Sequence, residues 1–143
     1  MMKLIKSVRG VILQARKVCV YTARRDGMIV EYNFPGGLVD PGETLEEAMI
    51  RETLEEVGLV IGRLQPMAVQ SPNLEGNDAY YFRADYERED KRLLGSEGDA
   101  YPYAWLDIDV AIARIQSGPA SPFNKVKIAA LHEIQQKPPF LKW

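Results

Sequence analysis

Apolar and polar residues alternate along most of the first 34 positions with a period of two, the period of a half-buried strand. The stretches "KLIKSVRGVIL" and "VCVYTAR" are rich in β-branched residues, and the dipeptide Asp26-Gly27 predicts a hairpin turn into "MIVEYNF". Pro35-Gly36-Gly37 ends that strand, and "LVDPGE" reads as a second short bend. The period then changes to that of a helix. Thr44 can cap its start, Glu47 completes a capping box, and Gly58 suits the left-handed position just past its end. "LVIGRLQPMAVQ" and "AYYFRADY" return to strand, with "SPNLEGND" as the loop between them, and "YPYAWLDI" is a further strand. Asp107 or Asp109 can cap a short helix over "VAIARI", and an amphipathic helix over "PFNKVKIAALHEIQQK" starts near Pro122. Strands interleaved with two or three helices predict an α/β architecture in which helices cover a sheet.

Composition narrows the class. The 143 residues show no internal repeat, low-complexity tract or linker-like shift, so a single domain spanning 1–143 is expected. With 46% apolar residues, 27% charged residues and a net charge of −2, the chain resembles ordinary soluble proteins and carries no global basic field. That argues against nucleic acid or a membrane as partner. No apolar run approaches the roughly 18 residues of a membrane span, and Lys6 and Arg9 interrupt any signal-like stretch at the start, so a cytoplasmic location is expected. The lone Cys19 reads as a small buried hydrophobe. His132, the one histidine, gives little support to a His-based zinc site or a His-dependent nucleophile.

The first helix carries the chemistry. At about 100° per residue, Glu52, Glu55 and Glu56 fall within one arc, with Ile50, Leu54 and Val57 on the opposite side as the expected apolar stripe. Like charges three and four residues apart destabilise a helix, and these three lie in its last turns, where the macrodipole also disfavours negative charge. A divalent cation would repair both faults. Oxygen-only ligands select hard ions, Mg²⁺ or Mn²⁺, with Ca²⁺ as a competitor. The alternative is a solvated acidic face with Arg51 as an exposed partner. Glu46 and Glu47 belong to the first turn and read as dipole and capping residues.

The spacing adds to this. Gly37, Glu43, Arg51-Glu52, Thr53, Glu55-Glu56, Gly58 and Leu59 together resemble the Nudix box, with every charged and glycine position present. Thr53 stands where a larger aliphatic residue is more usual. The resemblance implies a Nudix α/β/α sandwich with a mixed sheet between helices. It implies an Mg²⁺-dependent pyrophosphohydrolase, for which Mn²⁺ can substitute, acting on a nucleoside diphosphate linked to a further group. In such an enzyme metal ions neutralise phosphate charge and acidify a water, and the protein mainly positions.

By the same resemblance Glu55 and Glu56 are metal ligands, joined by the Gly36 carbonyl, and Glu52 is either a ligand or the general base. Arg51 and Glu43 orient these carboxylates, while Gly36 and Gly37 allow the loop to approach the helix and the substrate closely. Outside the box, Glu97 is a candidate for a further metal ligand, with Asp99 its competitor. Arg25, next to Arg24, is a candidate phosphate ligand, and Asn124 a candidate base reader. Phe34, Tyr80, Tyr81, Phe82 and Trp105 are either stacking surfaces or core.

The MutT type, cleaving a nucleoside triphosphate (oxidised or not) to monophosphate and pyrophosphate, is the leading expectation. An ADP-ribose or other nucleotide-sugar pyrophosphatase is the alternative, for which Pro72 lies at an ill-fitting distance from the box. A non-catalytic nucleotide sensor is the reading from another class. Dimers are common in the family, so a homodimer is also an expectation.

Overall fold

The computed structural model describes residues 5–70, 77–95 and 102–136. Strands β1 (Ile5–Gln14), β2 (Lys17–Arg25) and β3 (Met28–Asn33) form a meander, and a short β4 (Gly36–Leu38) returns to pair with β1. Helix α1 (Leu45–Val57) follows, then β5 (Leu59–Gln70), β6 (Asn77–Glu89), a single 3-10 turn (Lys91–Leu93), β7 (Tyr103–Asp107), α2 (Ile108–Ser117) and α3 (Asn124–Gln136). The Asp26-Gly27 turn has positive φ at both residues, as the hairpin requires. Pro35-Gly36-Gly37 was expected as a bend only. Gly36 and Gly37 instead extend it into β4, because without side chains they can lie flat against β1.

The sheet is mixed. β1 runs parallel to β6 from Ile5↔Asn77 to Leu13↔Asp85 and antiparallel to β4, while β5 flanks β6 and β3 flanks β2. β1 and β2 pair at Leu13↔Val18 and Gln14↔Lys17. Beyond that end they take different neighbours, β4 on β1 and β7 on β2. The divergence opens a space between the β1 and β2–β3 arms.

Alternation along the strands divides the core in two. Val11, Leu13, Val18, Val20 and Tyr81 pack under α2 and α3. Val8, Ile12, Cys19, Phe82 and Ala84 pack under α1. Helices on both faces of a mixed sheet give the expected α/β sandwich. Phe34, Tyr81 and Phe82 are core aromatics, and Cys19 is buried. No helix among the described residues is long and apolar enough to cross a membrane.

The capping of α1 follows its sequence. Thr44 Oγ1 accepts from the Glu47 amide, Glu47 Oε1 accepts from the Thr44 amide, and Gly58 takes φ 67° beyond the last turn. The buried face, however, is not the stripe of Ile50, Leu54 and Val57. Ala48, Met49, Thr53 and Val57 are buried, whereas Ile50 is 40% exposed. Thr53 fits this face because its hydroxyl donates to the Met49 carbonyl at 2.7 Å, leaving its methyl to pack. The rotation matters for the site. On the helical wheel Glu52 and Glu56 now flank Met49 and Thr53, so both carboxylates sit beside the sheet rather than opposite it.

Candidate active site

Two features of α1 and β4 bring the box residues together. β4 lies against β1 with Gly36 opposite Arg9 and Gly37 opposite Val8. The Gly36 amide then donates to Glu56 Oε1 at 2.8 Å. A Cβ at Gly37 would lie 2.5 Å from the Glu52 carboxyl carbon, and one at Gly36 would lie 1.9 Å from the Val8 carbonyl oxygen. Both positions therefore have to be glycine for the carboxylates of α1 to close on the loop.

Arg51 sits among the remaining carboxylates. Its guanidinium donates to Glu43 through Nε at 2.7 Å and Nη2 at 2.9 Å, a bidentate fork. Nη1 donates to Glu52 at 2.9 Å and to Glu55 at 3.2 Å, and Nη2 also reaches the Leu38 carbonyl at 3.0 Å. The arginine is thus no exposed partner of an acidic face: it offsets the repulsion that the helix pattern carries and joins α1 to the loop after β4. Glu43 is held further by the Asp40 amide at 3.0 Å.

The proton affinities divide accordingly. Hydrogen bonds from Arg51, then from the Asp40 amide, hold Glu43 well below the usual carboxylate range, at about 2. Glu52 moves the other way. Burial raises its proton affinity more than Arg51 lowers it, with the charge of Glu55 adding to the rise. The Arg51 guanidinium is raised further by Glu43 and Glu52.

Among the described residues no three His, Cys, Asp or Glu side chains converge on a preformed metal cluster. In this arrangement Glu52 and Glu55 face Arg51, and Glu56 faces the Gly36 amide. The donor set nevertheless fits a hard divalent cation in kind: three carboxylates of one helix beside a glycine loop whose Cβ-free surface admits them. Mg²⁺ commonly takes one or two carboxylates and completes its shell with water and substrate phosphate, so a preformed all-protein cage is not required.

A second concavity lies on the other side of β1, in the space opened by the diverging strands. It is a cleft of about 170 Å³ whose lining includes Arg9, Glu31, Asn33, Tyr81, Phe123 and Lys127. Arg9 Nη1 donates to the Tyr21 hydroxyl at 3.2 Å and to the Phe34 carbonyl at 3.0 Å, and its charge acts on Glu56 and Glu52. It therefore links the cleft to the carboxylate helix. Lys127, 2% exposed, donates to Glu31 at 3.0 Å and to the Tyr32 carbonyl at 2.7 Å. Burial lowers its proton affinity and Glu31 opposes that.

None of these cleft residues except Tyr81 was expected from the sequence, although two left a trace. Arg9 interrupts an inward-facing apolar alternation, and Lys127 shares the buried stripe of α3 with Ala130, Leu131 and Ile134. A charge at a core position is the signal that was available.

The candidates outside the box are placed differently. Arg25 is exposed at the end of β2, opposite Met28, and makes no ion pair or hydrogen bond among the described residues. Arg24 closes the hairpin by donating to the Gly27 carbonyl at 3.1 Å. The Asn124 amide donates to the Pro119 carbonyl at 3.1 Å, bridging the α2–α3 connection. His132 is exposed and pairs with Gln135. Glu97, Asp99 and Pro72 lie outside the described residues.

Comparison with known proteins places this geometry. A family model described as the NUDIX domain matches residues 3–128. The 8-oxo-dGTP diphosphatase of Buchnera aphidicola subsp. Schizaphis graminum is 31% identical over 109 residues, which cover 76% of this chain and 81% of that one. The NAD-capped RNA hydrolase NudC of Chromobacterium violaceum is 40% identical over 78 residues, 54% of this chain but 29% of that protein's length. Among solved structures, a MutT from work on Aliivibrio salmonicida and Vibrio cholerae superposes with a TM-score of 0.70 at 22% identity, covering 94% and 99% of the two chains. A hydrolase from Nitrosomonas europaea does so with a TM-score of 0.73 at 21% identity, covering 99% and 97%. At these identities the two structures establish a shared fold.

Proposed function

The chain belongs to the NUDIX family, and from that premise we propose that it is a divalent-metal-dependent pyrophosphohydrolase whose substrate is a nucleoside triphosphate, cleaved to monophosphate and pyrophosphate. The observation that carries this reading is the single arginine, Arg51, gathering Glu43, Glu52 and Glu55 while Glu56 closes on the Gly36 amide. A nucleotide-binding sensor has no use for four carboxylates gathered at one glycine loop. The match to a diphosphatase over most of both chains supports the triphosphate class.

In this reading Glu55, Glu56 and the Gly36 carbonyl hold Mg²⁺, with Mn²⁺ as a substitute, and Glu97 is the proposed further ligand. The ion supplies neutralisation of phosphate charge and acidification of a water. Glu52 takes the proton of the attacking water, and two facts favour it over Glu55. Its side chain is 16% exposed against 46%, and burial already raises its proton affinity. Arg51 keeps Glu52 and Glu55 in fixed orientations, and Glu43 fixes Arg51. Arg9 stands between the cleft and the carboxylates, where it can receive the phosphate chain. Arg25 and Asn124 are further proposed substrate contacts, for which the Asn124 amide would have to leave the Pro119 carbonyl.

The experiment is phosphate and pyrophosphate release with Mg²⁺ across (d)NTPs, 8-oxo-dGTP, ADP-ribose, dinucleoside polyphosphates and 5′-triphosphate RNA, with Glu56→Gln alongside. Turnover of triphosphates that the variant loses supports the reading. Absence of turnover with binding intact overturns it in favour of the sensor.

A further inference from the structure

The cleft beneath α3 has a composition that the hydrolytic site does not explain. Its volume of about 170 Å³ is below the roughly 300–1,000 Å³ of pockets that enclose a whole drug-sized ligand, so it suits a single ring system. Tyr81 lines it and is 4% exposed, with its ring packed edge-on against Phe34.

Beside it stands an ion pair with fixed roles. Glu31 Oε2 accepts from Lys127 Nζ and Ser121 Oγ, both at 3.0 Å, which occupies that oxygen. Oε1 receives only a long contact from Asn33 Nδ2 at 3.4 Å and keeps accepting capacity. The Asn33 amide is itself fixed, because its Oδ1 accepts from the Phe34 amide at 3.0 Å. Lys127 has three N–H donors, of which Glu31 and the Tyr32 carbonyl take two. An ionised carboxylate only accepts and an ammonium only donates, so this pair cannot swap roles as an amide can.

We propose that this cleft receives the heterocycle of the nucleotide and that Glu31, held by Lys127, makes it select a lactam edge, a ring N–H beside an oxo group. The inference rests on the hydrolase reading above. The ring N–H donates to Glu31 Oε1, and the oxo oxygen accepts from the third N–H of Lys127. Arg9 gives the cleft a second cation against the one carboxylate. That balance favours an oxo oxygen, with two lone pairs, over the one-lone-pair ring nitrogen that sits beside the amino group of adenine or cytosine. It does not favour phosphate, whose charge would meet the Glu31 carboxylate directly.

The test uses metal-free protein, so that binding is read without hydrolysis. Calorimetric titration with dGMP, dTMP, dAMP, dCMP and inorganic phosphate should show dGMP and dTMP binding about tenfold more tightly than dAMP and dCMP, the worth of one hydrogen bond to a charged group. Glu31→Gln, whose amide oxygen can still accept from Lys127 and Ser121, should weaken dGMP and dTMP until the gap closes. Glu31→Asp keeps the charge but withdraws it by one methylene and should close the gap as well, which covers failure of the first variant to fold. Equal affinity for all four in the parent protein, no binding of any, competition by phosphate alone, or a gap that survives both Glu31 variants would each overturn the proposal. Failure of the hydrolase reading looks different: base-selective binding persists while nothing in the turnover panel is cleaved.

Discussion

The carboxylate helix and the cleft under α3 lie on opposite sides of the same strand, β1, and are built in opposite ways. The first comes from one continuous stretch, residues 36–58, in which β4, the loop and α1 follow one another along the chain. Its ties are short in sequence: Arg51 reaches Glu43 eight residues back and Glu55 four residues on. The cleft draws on β1, β3, β6 and α3, and its central ion pair joins residues 96 apart. Local construction makes a site that one stretch can specify. Distributed construction leaves the recognition surface to residues that different segments can vary independently, with the hydrolytic machinery untouched.

The largest effect that should separate the two regions is on turnover. Replacing the proposed proton acceptor, Glu52→Gln, should lower kcat by about 10²–10⁴-fold, while affinity for nucleoside monophosphate in the cleft changes little. Steady-state rates with Mg²⁺ beside metal-free titration check this. Parallel loss of both would mean that the two regions are not separable.

A second way to break the comparison is to press on the glycines that let the loop meet the helix. The Cβ of Gly36→Ala would meet backbone of β1, the Val8 carbonyl oxygen at 1.9 Å and Arg9 Cα at 2.9 Å, and neither can move aside cheaply. Overpacking of this kind costs about 1–3 kcal/mol, and β4 should detach from β1. The Cβ of Gly37→Ala would meet the end of the Glu52 side chain, which can swing away. Urea midpoints should therefore fall for Gly36→Ala and hold for Gly37→Ala, while both lose activity. The next effect is smaller. Arg51→Lys keeps the charge but not the fork that holds three carboxylates, and should cost about 10–100-fold in turnover or metal affinity.

Acid tests the same network without substitution of the catalytic group. The folded-state value of Glu43, at about 2, lies below its ordinary 4.5. The stabilisation from its fork with Arg51 is therefore complete above about 4.5 and is lost as pH falls towards 2. Thermal midpoints of the parent chain and Glu43→Gln, taken across that window, should converge as pH falls. A constant difference would mean that Arg51 does not hold Glu43 in solution as it does here.

The same division explains what the sequence made legible. The capping box at Thr44 and Glu47, the left-handed Gly58 and the strand over Leu59–Gln70 depend on neighbours in the chain, so their residues suffice to place them. The mutual service of Arg51 and Glu43 was equally local and was expected. The turn of α1 about its own axis was not, because three apolar residues at Ile50, Leu54 and Val57 outweighed a small threonine at the position that faces the sheet. Nor was β4, since its pairing with β1 spans 27 to 31 residues and rests on what two glycines lack. Glu31 was beyond reach for the same reason, while Lys127 left only the trace of a charge on the buried stripe of α3. Glu31 looks like a surface charge until the fold brings it against Lys127.

The smallest effect concerns that turn of α1. The wheel had placed Ile50 with the core, and the structure leaves it 40% exposed, near Leu54 and Leu93 at the outer surface of the helix. If the helix lies as described, Ile50→Ser removes little buried area and should change unfolding free energy by no more than about 0.5 kcal/mol. Met49→Ser, one residue earlier and fully buried, should cost several times as much. Urea unfolding of the two variants decides the orientation. Were Ile50 the costlier, α1 would be turned towards the stripe that its apolar residues suggest. Glu52 and Glu56 would then point away from β4, and the carboxylates could not close on Gly36 and Gly37.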